Sequence, residues 1–410
     1  MKINLTTRIF IGMLLGILVG HFYRMYHPDQ ADYENFANNI QILSDIFLRL
    51  IKMIIAPLVF ATLVVGVAKV GDFGAVGRIG IKTILYFQFA TLLALALGLI
   101  LVNLFEPGHV MSLPLPPADA TSGVAKAAPT LKEFITHVIP KSVVEAMANN
   151  EILPLVVFSL FFGVAAASMG DKAKTLVHAF DTVSHVMFKV TNYVMLFAPF
   201  GVFGAIAAVV AKQGIGIISG YIYLIACFYF GLIFFGIVIL GSICFALKIP
   251  FFKLLNHVKE PILLAFSTAS SESAFPKTVE ALEKYGCSNR IISFVLPLGY
   301  SFNLDGSIMY MTFATVFIAQ AYGINLSIQQ EITMMLMLLV TSKGMAGVPR
   351  ASLVVIAGML SAFHIPEGGL LLLLGIDQLL DMGRSATNVI GNAVATAVVS
   401  KWEGELNVSE

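Results

Sequence analysis

Eight apolar stretches, around 8 to 23, 42 to 68, 83 to 105, 151 to 168, 186 to 211, 218 to 247, 291 to 321 and 369 to 399, are each long enough to cross a bilayer once tilt is allowed. Inside a bilayer such stretches must satisfy their own backbone hydrogen bonds, which restricts them to helices. With 58% hydrophobic and 12% charged residues, the 410-residue chain also has too little polar surface for a water-soluble protein of this size. The expected fold class is all-α, a polytopic membrane protein. Lys2 and Arg8 precede the first stretch, while Asp29, Asp32 and Glu34 outweigh Arg24 in the loop after it, which predicts a cytoplasmic N-terminus. Lys69, Arg78 and Lys82 in the next inside loop agree, as do Lys248, Lys253 and Lys259 further on. Eight crossings return the C-terminus to the cytoplasm. The first stretch is too long for a signal-peptide core, and no small-residue cleavage site follows it.

Several function classes are disfavoured by what the residues lack. Cys227, Cys244 and Cys287 are odd in number and not closely paired, so neither a disulfide framework nor a redox or metal knuckle is expected. The eight histidines form no His-Glu-x-x-His pattern, and there is no Walker loop. Gly214-Ile-Gly-Ile-Ile-Ser-Gly220 has the wrong spacing for a dinucleotide turn and reads as a loop opening a helix. No cofactor and no metal are expected. A net charge of +1 argues against a nucleic-acid partner.

The first helix carries Gly12, Gly16 and Gly20, a small-residue stripe that suits close helix packing. Residues 107 to 130, rich in Pro, Ala, Ser and Gly, form an external loop separating a front part of the chain from a back part. Two apolar segments of the back part are broken in the middle. The first break is Ser267-Thr-Ala-Ser-Ser-Glu-Ser273, and the second runs from Thr341 to Ser352 through Ser342, Lys343 and Ala346-Gly-Val-Pro349. Neither flank of either break can span alone, so both segments read as re-entrant hairpins. Their backbone at membrane depth is tolerated only where it lines a cavity, and helix N-termini there suit an anion. A third break, Leu296-Pro-Leu-Gly-Tyr-Ser-Phe-Asn-Leu-Asp-Gly-Ser307, frees carbonyls beside Asn303 and Asp305, as a cation site requires.

The last apolar stretch contains Asp377, Asp381, Arg384, Asn388 and Asn392, which share an arc of about 80° on one helical face. Ionisable groups at membrane depth cost several kcal/mol unless paired or solvated, and they mark substrate or ion pathways. A structural ion-pair patch between helices is the alternative reading of this face.

Together, the Ser270-Ser271 tip, Asn303-Leu-Asp-Gly306, Ala346-Gly-Val-Pro349 and Asp381-Met-Gly-Arg384 followed by Asn388 resemble the dicarboxylate/amino acid:cation symporter family, the glutamate transporters. The likeness covers nearly the whole chain and is nearest to the proton-coupled bacterial glutamate/aspartate symporters. It implies eight transmembrane helices, two re-entrant hairpins and a homotrimer in the bacterial cytoplasmic membrane. Residues 1–75 are then scaffold helices 1 and 2, and 76–112 helix 3 of a mobile transport unit. Residues 113–212 are the external loop with scaffold helices 4 and 5. Residues 213–410 complete the mobile unit with helix 6, hairpin 1 near 251–285, helix 7, hairpin 2 near 327–364 and helix 8. The unit moves across the membrane like an elevator, with hairpin 2 as the external gate.

The resemblance also implies a binding site. Arg384 pairs with the side-chain carboxylate of L-glutamate or L-aspartate, and Asp381 holds the ammonium. Asn388 and the tip at Ser270 and Ser271 take the α-carboxylate, Ser307 and the backbone at Val348 close over it, and Ser385 lies alongside. A planar guanidinium grips a carboxylate bidentately, and a buried Asp favours a cation, so the chemistry agrees. Gly299, Ser301, Asn303, Asp305, Ser342, Lys343, Asn392 and Thr91 are its cation or remnant cation positions. Sodium-coupled members carry an acid at the place of Asn392, Tyr and Thr at those of Phe87 and Ala90, and no lysine at that of Lys343. These departures favour H+ as the coupling ion, with Glu272 at the hairpin 1 tip as its carrier. In that scheme Glu272 pairs with Arg384 in the empty site and binds a proton when substrate takes the arginine. Arg350 has no assigned role.

Three transport readings stay open: proton-coupled acidic amino acid symport, sodium-coupled symport through remodelled sites, and proton-coupled C4-dicarboxylate symport. An intramembrane serine protease would require a Gly-x-Ser-Gly nucleophile with a helical His or Lys base, but Ser270 and Ser271 lack the glycine frame and no His lies within either hairpin tip. A channel would not require the discrete zwitterion site that Asp381 and Arg384 imply.

Overall fold

The sliding of apolar helices past one another is governed by which faces are smooth, and α1, Leu5–Tyr26, shows this at once. A Cβ on Gly12, Gly16 or Gly20 would come within 2.5, 2.9 and 2.6 Å of the carbonyl oxygens of Pro199, Phe203 and Ala207. The stripe is thus the seam along which α1 lies on α8, Ala198–Gln213, at backbone distance. The structure is a computed structural model that describes residues 5–70, 73–110, 115–116, 136, 138–149, 151–214, 216–342 and 351–408.

The described residues are all-helical, with no β-strand and a single isolated bridge, Cys287 to Leu406. Helix α2 is Gln30–Val70 with Pro57 inside it, and α3 is Phe73–Phe105, followed by the short α4, Pro107–Val110. After the loop come α5, Val143–Ala148, α6, Ile152–Ser168, and α7, Lys174–Met195. Helices α7 and α8 are bent by 51° where Pro199 opens the second of them. Helices α9, Gly216–Phe234, and α10, Leu240–Ala246, are joined by a π turn at Phe235–Ile239. Five helices are long and apolar enough to cross a membrane among the described residues, or six if the bent pair is one span. The eight crossings expected from the sequence are reached only by adding Leu153–Ser168, which is short, and Asp377–Trp402, which its polar face keeps out of that count.

The first segment read as re-entrant folds as α11, Phe251–Thr268, and α12, Phe275–Tyr285, which pack on each other. Eighteen residues of helix reach about 27 Å and eleven about 16 Å, so neither arm is a full span. Ala269, in a left-handed conformation at φ 49°, ends α11, and a 3-10 turn at Glu272–Ala274 leads into α12. Then follow α13, Asn289–Phe302, and α14, Asp305–Ala321, separated by only Asn303 and Leu304. The expected unwinding over 296 to 307 is therefore narrower than the sequence suggested, because Pro297 and Gly299 are absorbed within α13. The second hairpin is α15, Ile328–Thr341, and α16, Ala351–Ala362. A capping box fixes its start: Gln330 N–H donates to Ser327 Oγ and Ser327 N–H to Gln330 Oε1. Its break, with Lys343, Val348 and Arg350, lies outside the described residues. The chain closes with α17, Leu370–Leu374, and α18, Asp377–Trp402.

Two groups of helices emerge from the packing. Helices α1, α2, α6, α7 and α8 hold one another, while α18 is surrounded by α9, α11, α13 and α14, with α3 and α16 against α14. Between the groups, α13 lies on α2 and α6, and hairpin 1 touches α1, α2, α7 and α8.

Candidate functional site

Spacing alone brings the polar residues of α18 to one face, and packing then buries them: Asp377, Arg384, Asn388 and Asn392 are each at most 4% exposed. Arg384 is the centre. Its Nη2 lies 2.9 Å from Asp377 Oδ1 and 3.0 Å from Asp381 Oδ1, and its guanidinium stacks 4.1 Å over the Tyr310 ring. Both acids are on the same helix, at i−7 and i−3, so no separate element has to be ordered to make the pairs. The two acids differ in access, with the Asp377 side chain 5% exposed and that of Asp381 34%. Among the described residues, Arg384 Nε and Nη1 are buried with no hydrogen-bond partner. Buried donors left unmade cost about 1–3 kcal/mol each, so the free side of this fork suits a further acceptor.

The expected pair between Glu272 and Arg384 is not made, since Asp377 and Asp381 hold the arginine instead. Glu272 sits half-buried in the 3-10 turn at the hairpin 1 tip. That tip is tied by its own side chains. Ser273 N–H donates to Ser270 Oγ at 3.3 Å, Ser273 Oγ to the Ser270 carbonyl at 2.8 Å, and Thr268 and Ser273 share a 2.8 Å hydroxyl contact. Ser270 and Ser271 remain half-exposed there.

Asn388 joins α18 to the break after α13. Its Oδ1 accepts from the Gly306 and Ser307 N–H groups at 2.9 and 3.4 Å, and its Nδ2 donates to Ser307 Oγ at 3.1 Å. The approach is close enough that a Cβ at Gly306 would lie 2.6 Å from the Arg384 carbonyl oxygen. Asn388 and Ser307 are thus brought together beside Arg384, with Ser385 buried next to it. Below them, Asn303, Asp305 and Asn392 form a second buried cluster in which Asn303 Nδ2 donates to Asp305 Oδ2 at 3.1 Å and to Asn392 Oδ1 at 3.4 Å. Asn392 packs on the bare backbone of Gly299, and Asp305 on that of Gly391, where any Cβ would collide with the side chain. Among the described residues, Ser301 Oγ, Asn303 Oδ1 and Ser342 Oγ are buried without hydrogen-bond partners. Thr91, Phe87 and Ala90 are buried in α3. Among the described residues no group of three or more His, Cys, Asp or Glu could hold a metal ion. Lys343 and Val348 lie outside the described residues.

Two contributors were not singled out as site residues from the sequence. Asp377 was seen on the polar face but given no role, and Tyr310 was missed, although Ser307 and Tyr310 fall at i and i+3 on the same face of α14.

Comparison with known proteins fits this geometry. The model of the sodium:dicarboxylate symporter family matches residues 5–402. The chain is 43% identical over 411 aligned positions to a proton/sodium-glutamate symport protein of Geobacillus stearothermophilus, covering 99% of this chain and 96% of that one. It is 43% identical over 410 positions to the proton/glutamate-aspartate symporter of Escherichia coli K12, covering 98% and 93%. It is also 40% identical over 408 positions to a C4-dicarboxylate transport protein of Bacillus subtilis, covering 98% and 94%. The chain is therefore a multi-pass membrane protein of the sodium:dicarboxylate symporter family, a family of transporters and not of enzymes.

Proposed function

We propose that this protein is a symporter that imports L-glutamate or L-aspartate with protons across the bacterial cytoplasmic membrane. The observation that carries the reading is Arg384, buried with two unused donors and flanked by one sealed and one accessible acid. A dicarboxylic amino acid brings what this site lacks. Its side-chain carboxylate meets Nε and Nη1, and its ammonium draws the accessible Asp381 away from Arg384, while Asp377 stays as the permanent counter-ion. The α-carboxylate is met by the hairpin 1 tip at Ser270 and Ser271 and by Asn388, which then gives up Ser307.

Substrate adds net negative charge near Glu272, which favours its protonation without any earlier pairing to Arg384. By reciprocity, low pH tightens substrate binding. Support for H+ over Na+ comes from Asn392, whose amide stands in the cluster with Asp305 and Asn303 where a second carboxylate would help offset a bound cation. In this reading α1, α2 and α6–α8 are the fixed scaffold of a homotrimer, and the group around α18 with the two hairpins is the moving body. Both termini are cytoplasmic.

C4-dicarboxylate symport is the second reading, favoured by the 40% identity to a transporter of that name and by the fact that Asp381 can simply keep Arg384 when no ammonium arrives. Uptake of radiolabelled glutamate into proteoliposomes, under a pH gradient without sodium and a sodium gradient without a pH gradient, tests the coupling ion, and competition by succinate tests the substrate. Uptake driven by the pH gradient and lost in Glu272→Gln is expected. Uptake only under the sodium gradient overturns proton coupling.

A further inference from the structure

Glu331 lies in the first turn of α15, at the root of the second hairpin, and is 8% exposed. Both of its oxygens accept from a single group, Asn103 Nδ2 near the end of α3, at 3.0 and 2.9 Å. Among the described residues no salt bridge reaches it. The elements packed on α15 are α3, α14 and α16. Between Asn103 and the start of α15, α3 offers only Glu106 beyond its end, itself 3.6 Å from His109. The half of α14 beyond Tyr310 contains no ionisable side chain, and neither does α16. A carboxylate taken out of water with one neutral amide for company is poorly compensated, apart from the N-terminal end of its own helix.

The chemistry of the pair suits two protonation states. Ionised, Glu331 accepts twice from the Asn103 amino group. Protonated, its O–H can donate to Asn103 Oδ1 while its carbonyl accepts one N–H of Nδ2, a closed ring of two hydrogen bonds. Only a turn of the Asn103 amide separates the two.

We infer that Glu331 is a second proton-binding site, at the external root of hairpin 2, with Asn103 as its partner in both states. The inference rests on the reading of this hairpin as the external gate. The proton comes from a hydronium ion in external water: its O–H bond breaks as the carboxyl O–H forms, and a neutral water is released. Closing the hairpin withdraws its root further from water, which favours the neutral acid, so protonation and closure over substrate promote each other. Glu331 differs in this from Glu272, whose proton crosses with the substrate.

The test is glutamate uptake by the full-length protein in proteoliposomes, with internal pH fixed and external pH varied, in wild type, Glu331→Gln and Asn103→Leu. In wild type the KM should rise as external pH increases, towards about tenfold per pH unit at the limit for each proton bound. Glu331→Gln, which can form the same two-bond ring with Asn103, should keep the low KM and make the rise shallower, leaving the part due to Glu272, while a pH gradient still drives accumulation. Asn103→Leu removes the donors that hold the ionised form and should move the rise to higher pH. A merely structural pair predicts a weaker transporter with an unchanged profile. A wild-type profile in Glu331→Gln overturns the second site alone. Wild-type uptake indifferent to external pH and driven by sodium overturns both the site and proton coupling.

Discussion

The two hairpins begin as the same sequence device, an apolar segment broken in its middle, and end in different mechanical situations. Hairpin 1 is held at three places. Its tip is laced by Thr268, Ser270 and Ser273, and its first arm lies against α18 and α8. Its exit is fastened by the chain that follows α18. There Glu403, whose side chain is 2% exposed, takes Arg78 at 3.0 Å and Lys82 at 2.7 Å from α3, and Glu405 takes Arg290 at 3.0 Å. Asn407 N–H reaches the Gly286 carbonyl at 2.8 Å, while Ser288 bonds Glu405 through both its backbone and its hydroxyl. Hairpin 2 has a capped start and the Asn103 to Glu331 contact, and its first arm leaves Ile328, Ile332, Leu336 and Val340 exposed by 76, 45, 53 and 54%. These four residues repeat every fourth position and form one bare stripe. An element fastened at its tip and at its exit suits a floor, and one whose first arm carries an open apolar face suits a gate.

The largest expected effect tests the polar face of α18, on which the first arm of hairpin 1 packs. Arg384→Ala leaves Asp377 buried without its cation, which should cost about 3–5 kcal/mol and abolish measurable uptake. Melting of the detergent-solubilised variant and transport assays read the two parts separately. Next, the difference between the arms themselves is open to attack. Leu264→Ala, at a fully buried position of α11, should cost about 2–5 kcal/mol, whereas Leu336→Ala on α15 should stay within about 1 kcal/mol. Equal losses in denaturation of the two variants would erase the distinction between floor and gate.

The fastening of hairpin 1 can be titrated. The Arg78 hydrogen bond, helped by Lys82, holds the Glu403 carboxyl below its usual range. A lowered folded-state value means that the stabilisation is complete above the ordinary carboxylate pKa of about 4.3 and is lost as pH falls through the lowered one. Glu403→Gln should therefore lower stability by about 1–3 kcal/mol at pH 7 and by nothing measurable once wild-type Glu403 is protonated. Melting curves of both proteins across that range check the sign. Smallest of all, Ser270→Ala removes one acceptor at the tip and should cost about 1 kcal/mol with a modest rise in KM, measured by substrate-dependent melting and uptake.

What could be read from the sequence was the short-range part. The polar face of α18 follows from spacings of three and four residues, and both breaks follow from arms too short to span. The Glu272 to Arg384 pair failed for the same reason the face succeeded: acids at i−7 and i−3 on one helix reach the guanidinium first, and that spacing was already present. The contacts of Arg78, Lys82, Arg290, Glu403 and Glu405 join residues more than a hundred positions apart and have no local signature. The same is true of Asn103 with Glu331, since a buried acid in a helix's first turn reads as an ordinary capping residue until its neighbour is known.

Asn392 and Asp305 share one amide donor, the Asn303 Nδ2, in a place sealed from solvent. Replacing Asn392 by Asp would set a second carboxylate beside Asp305 at that shared donor, with Gly299 and Gly391 leaving neither side chain room to retreat. Two charged carboxylates there would require a cation or a shared proton between them, whereas the Asn392 amide lets the cluster close on its own hydrogen bonds.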